Sequence, residues 1–128
     1  MDHYNPARAP AEIEYDPAAG VARIRYEGPV SAAGLFAAHE ALHACVAGRA
    51  MIGLVIDVRD SDPAYSASEL LEAMETCIAD WPLERVALIS RTERQRLLML
   101  METVGFAQGV RVRAFAQAEA AQRFAAGL

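Results

Sequence analysis

IGLVIDV, residues 52–58, is apolar at nearly every position. A strand with one wet face alternates polar and apolar side chains. A run with almost no polar members fits a strand covered on both sides, as the middle of a parallel sheet is. Upstream, 31–47 reads as a helix entered through Pro29 and capped by Ser31. Before that, EIEYD (12–16) and VARIRYE (21–27) alternate polar and apolar residues around DPAAG, a hairpin signal. Setting Glu14 opposite Arg23 sets Glu12 opposite Arg25. Both charge pairs then share one face, and Ile13, Ile24, Tyr15 and Tyr26 take the other.

Downstream, a second helix runs from Ser66 to about Trp81, with Pro82 following. RVALI (85–89) is another buried strand. A third helix opens at Ser90 or Thr92 and runs to about Val104, closed by Gly105. VRVRAF (110–115) is the last strand, and a final helix covers about 117–126. Ser66-Ala67-Ser68-Glu69 and Ser90-Arg91-Thr92-Glu93 both carry the capping-box pattern, in which serine and glutamate cap one another's backbone N–H groups.

The class is therefore α/β: an N-terminal β-hairpin leading into a (βα)n superhelix, with a mostly parallel five-stranded sheet and helices mainly on one face. Right-handed crossovers that always step in one direction put every helix on one face. The opposite face looks partly wet, because Arg23 and Arg25, and Arg111 and Arg113, alternate with apolar residues on the edge strands. Residues 1–11 read as a flexible tail and 12–128 as one domain.

With 128 residues, 54% hydrophobic and 23% charged, the chain can bury one core. A net charge of −5 argues against nucleic acid as partner. No run is long and apolar enough for a membrane span, and MDHYNPARAP has no signal core, so the expected location is cytoplasmic. Cys45 and Cys77, each within an expected helix, read as buried reduced thiols.

"YEGPVSAAGL" at the first helix entry, "GLVIDVRD" at the central strand and its exit, and "VRVRAFAQAEAAQRF" at the close resemble the SpoIIAA-like or STAS fold. That fold takes its name from sulphate transporters and anti-sigma factor antagonists. The chain is similar in particular to small bacterial proteins grouped beside it and beside CRAL-TRIO lipid carriers. In the antagonists, the resemblance implies a phosphorylatable serine in a D-S-S-G-type motif at the start of the helix after the central strand. The matching stretch here is "SDPAYSASEL" and the matching serine is Ser66. Ala64-Tyr65 stands where Asp-Ser would be, and Ala67 replaces the glycine.

HEALH (39–43) matches H-E-x-x-H, in which two histidines a turn apart hold zinc and the glutamate is the base. His39 and His43 can share a face at about 100° per residue. A catalytic zinc wants a third protein ligand, and Val46 and Arg49 occupy the glycine and histidine places of the extended motif. Glu69, Glu72 and Glu75 offer carboxylates without one being marked out. The reading is surface histidines, no metal and no cofactor.

Ligands of open parallel sheets bind beyond the carboxyl ends of the strands. That rim carries Asp57, Arg59, Asp60, Ser61 and Asp62, with Ser90 and Arg91 after the next strand. Asp60 and Asp62 around Pro63 read as turn chemistry. Leu97-Leu98-Met99-Leu100-Met101 is apolar all round a helix, which leaves Leu98 and Met99 beyond the sheet-facing stripe as interface candidates. The expected function is a non-enzymatic interaction or regulatory domain that forms a homodimer and has a possible regulatory protein partner. The alternatives are an apolar-ligand or lipid carrier and, remotely, a metal-dependent hydrolase through His39, Glu40 and His43.

Overall fold

The computed structural model describes residues 11–91 and 95–128. Residues 1–10, most of the expected tail, and 92–94, half of the second capping box, lie outside the described residues. The element order is β1 (Ala11–Asp16), β2 (Val21–Val30), α1 (Ala32–Val46), β3 (Gly53–Pro63), α2 (Ala67–Asp80), β4 (Arg85–Ile89), α3 (Gln95–Gln108), β5 (Arg111–Phe115) and α4 (Ala118–Ala125). The sheet has five strands in the order β1-β2-β3-β4-β5. β1 and β2 are antiparallel, and the later neighbours are parallel.

The hairpin has the expected register, with Glu12 opposite Arg25 and Glu14 opposite Arg23. Arg23 donates to Glu14 at 3.0 Å. Arg25 turns away from Glu12 to Asp60 of β3, at 3.2 Å, and to Glu27, at 3.4 Å. β3 is the strand that IGLVIDV announces, and it runs further than expected. Arg25 pairs with Asp57 but Glu27 pairs with Asp60, so β3 holds one extra residue there, a β-bulge. Beyond the bulge Ser61, Asp62 and Pro63 stay paired to Gly28, Pro29 and Val30. Asp60 and Asp62 are thus strand residues rather than a turn, because the long β2 offers a backbone partner as far as Val30.

Alternate residues of the sheet build two cores. Ala22, Ile24, Leu54, Val58, Val86, Leu88 and Val112 meet the buried faces of α1, α2 and α3. Val21, Val55, Ala87 and Ile89 point the other way and are covered by Ala121 and Ala125 of α4. The helices thus lie mainly on one face, as expected, and the crossover argument that would put every one of them there fails only for α4. It follows the last strand, so no crossover fixes its side, and the apolar back of β3 and β4 needs cover.

α3 does not end at Gly105 but continues to Gln108, and Gly109 (φ +77°) makes the left-handed exit. Gly105 serves close packing instead. A Cβ there would lie 2.6 Å from Val112 Cγ2 and 2.7 Å from the Val110 carbonyl oxygen.

Candidate functional site

At the carboxyl rim of the sheet the structure brings Asp57, Arg59, Asp60 and Arg91 into one charged cluster. Asp57 is buried, and the bulge lets Arg59 fold back over it. Arg59 donates from Nε to Oδ1 at 3.0 Å, from Nη2 to Oδ2 at 2.8 Å and from its backbone N–H to Oδ1 at 3.1 Å. Burial alone would raise the Asp57 pKa. The bonds from Arg59, with the charges of Arg59 and Arg25, outweigh it and hold the carboxyl below its ordinary value. Asp60 takes Arg25 at 3.2 Å and Arg91 at 3.6 Å. Three carboxylates (Glu27, Asp57, Asp60) thus meet three guanidiniums (Arg25, Arg59, Arg91), and the cluster largely neutralises itself. Asp62 is exposed opposite Pro29, and Ser90 is half-buried with its N–H on the Phe115 carbonyl.

Ser66 is the exposed N-cap of α2. Its Oγ accepts from the Glu69 N–H at 3.2 Å, and its own N–H donates to the Glu69 carboxylate at 2.7 Å. The capping box is complete on both sides, so Glu69 is engaged as a cap.

The histidine pair is not two stray surface residues. His39 and His43 both direct Nε2 at one atom, Oδ2 of Asp80, at 2.8 and 2.7 Å. Asp80 is the last residue of α2, and Trp81 beyond it packs against both rings, edge-on to His39 at a centroid distance of 5.3 Å and tilted over His43 at 4.3 Å. The bonds from His43 and then His39 hold the Asp80 carboxyl below its usual range, against a smaller opposing effect of burial. Behind His39, its Nδ1 lies 3.5 Å from Cys77 Sγ. Burial, helped by the Asp80 charge, pushes that thiol up to about 12, so it stays protonated. Sequence reasoning missed Asp80 and weighed Glu69, Glu72 and Glu75 in its place. Asp80-Trp81-Pro82 at a helix end gives no pattern of its own, and its approach to α1 depends on how two helices pack.

The space between the sheet and α1–α3 holds a mostly apolar cavity of about 60 Å³, lined by Tyr26, Leu35, Tyr65 and Met74 among others. Burial raises the pKa of the Tyr26 phenol there. The volume suits a water or two, against the roughly 300–1,000 Å³ of small-molecule pockets. On α3, Met99 is 64% exposed and Phe106 is 86% exposed. Seven residues apart, they lie on one helix face, with Glu102 and Thr103 between them. Leu98, the other expected interface residue, packs on the core instead. Phe106 was missed because a helix ending at Gly105 leaves it outside.

The sheet order, the three helices on one face and the closing helix on the other define a SpoIIAA-like fold. The chain is similar to the crystal structure of an uncharacterized protein of the DUF3478 family, with a SpoIIAA-like fold, from Shewanella loihica PV-4. The TM-score is 0.63 at 16% identity, over 90% of this chain and 91% of that one. No family model and no curated protein matches the sequence. Among the described residues no helix is long and apolar enough to cross a membrane.

Proposed function

We propose that the protein is a non-enzymatic interaction domain of SpoIIAA-like fold, and that it docks a second copy of itself through the outer face of α3. The observation that carries this reading is the joint exposure of Met99 and Phe106 on one face of α3. Leaving two large apolar side chains in water forgoes about 1.5–3 kcal/mol each relative to burial. A two-fold axis between them, at Glu102 and Thr103, would set each Met99 against the partner's Phe106. A self-complementary interface of this kind is the commonest route to closed dimers. The cavity between the sheet and α1–α3 is too small for a lipid chain, and the rim ions are already matched to one another.

Sedimentation equilibrium over a concentration series is the direct test. The wild-type chain should approach twice the monomer mass, and Phe106→Glu with Met99→Glu should stay monomeric. A wild-type monomer at high concentration overturns the reading. So does a dimer that both substitutions leave intact.

A further inference from the structure

We infer that His39, His43 and Asp80 form a binding site for one divalent metal ion of the zinc class, which ties α1 to α2. His39 and His43 are one turn apart on α1, and the Asp80 carboxylate comes from the far end of α2. One ligand atom from each lies within 4.8 Å of the other two. Both imidazoles present Nε2, the atom that would bind, toward a single carboxylate oxygen.

An ion with bonds of about 2.0–2.2 Å holds tetrahedral ligand atoms roughly 3.3 Å apart. The present contacts of 2.8 and 2.7 Å would therefore open by about half an ångström, a change within the reach of side-chain torsions. Two imidazoles and one carboxylate suit a borderline transition-metal ion and would be a poor set for calcium or magnesium, which prefer oxygen.

The surroundings supply what such a site needs beyond its ligands. Each imidazole Nε2 lies within hydrogen-bond distance of the same Asp80 oxygen. With an ion between them, each ring would carry its proton on Nδ1 and present the Nε2 lone pair to the metal. For His39 the Nδ1–H then points at Cys77 Sγ, 3.5 Å away, the kind of outer partner that fixes the tautomer of a ligating histidine. Trp81 walls the other side against both rings. The His43 side chain is half exposed and that of Asp80 a third exposed, which leaves a path for the ion to enter. Three protein ligands leave one position for water or for a group from a docked partner. The site sits on other helices than Met99 and Phe106, so the metal and oligomer experiments can fail separately.

The test uses the full chain without a histidine tag, stripped with a chelator and titrated with zinc in a calorimeter, then with cobalt(II) in the spectrophotometer. One ion should bind per chain, and cobalt should give the visible bands of a low-coordinate site with nitrogen and oxygen ligands. Asp80→Asn keeps the shape and one acceptor but loses the charge. It should weaken zinc binding at least about tenfold and remove the cobalt bands. His43→Asn, at the open edge of the cluster, should do the same with an unchanged circular dichroism spectrum, which guards against misfolding of the first variant. A stripped chain that takes up neither ion overturns the inference. So does wild-type-like binding in both variants.

Discussion

A methyl group placed on Gly53 would overlap the carbonyl oxygen of Ala125, where the end of α4 crosses the start of β3. Backbone cannot yield as a flexible side chain does. Gly53→Ala should cost about 1–3 kcal/mol, read as a lower urea midpoint. Midway along β3, the buried Asp57 and its Arg59 fork give a pH-dependent element. The folded carboxyl titrates below its unfolded value, so between the two values the unfolded chain binds more protons. The stability this group contributes is therefore complete above the unfolded value, near about pH 4, and is lost as pH falls through the folded one. Asp57→Asn should flatten the acid limb of a stability–pH profile measured by urea titration and leave its shape near neutrality unchanged. Arg59→Ala, which strips the buried carboxylate of its partner, should cost about 1–3 kcal/mol at neutral pH.

Elements were legible in the sequence where local chemistry alone determines them, and less so where a neighbour decides. The hairpin register could be read because Glu14 and Arg23 alternate in step with the apolar residues and the turn fixes the offset. α2 could be read from its capping box, and Ser66→Ala should cost about 1 kcal/mol of stability, while Ser66→Asp, which can still cap, should cost little. Thermal melts of the two variants side by side would decide it, and equal losses in both would refute the capping account. The end of α3 was not legible, since Gly105 looks like a stop signal until Val110 and Val112 are known to press on it. The outer part of β3 was hidden for a similar reason, as an Asp-Ser-Asp-Pro stretch is a turn by composition and a strand only because β2 extends beside it. Asp80 belongs with these. Its meeting with His39 and His43 is a product of the α1–α2 packing, across 41 and 37 residues of chain.

At the scale of the whole molecule, the sheet is covered unequally, by three helices on one side and by the short α4 on the other. Crossover handedness could be reasoned from element order for α1, α2 and α3, but it is silent on a helix with no strand after it. The side chosen by α4 makes it more than a terminal ornament. Val21, Val55 and Ile89 are at most 2% exposed on the back of the sheet, in a cluster with Ala87 and the fully buried Ala121 and Ala125. Removing residues 117–128 would return much of these three larger side chains to water, at about 1.5–3 kcal/mol each when the exposure is complete. That sum approaches the whole stability of an ordinary domain, about 5–15 kcal/mol. A chain ending at Ala116 should therefore lose its cooperative urea transition and the near-ultraviolet signal of the packed Trp81, although Trp81 lies on the opposite side of the sheet. Retention of a sharp transition by the shortened chain would mean that the α1–α3 layer is self-sufficient and that α4 only shields it. The point substitution Ala121→Asp separates the two cases without shortening the chain. It puts a charge against Val55 and Ala87, and it should unfold the protein only if the back core is required.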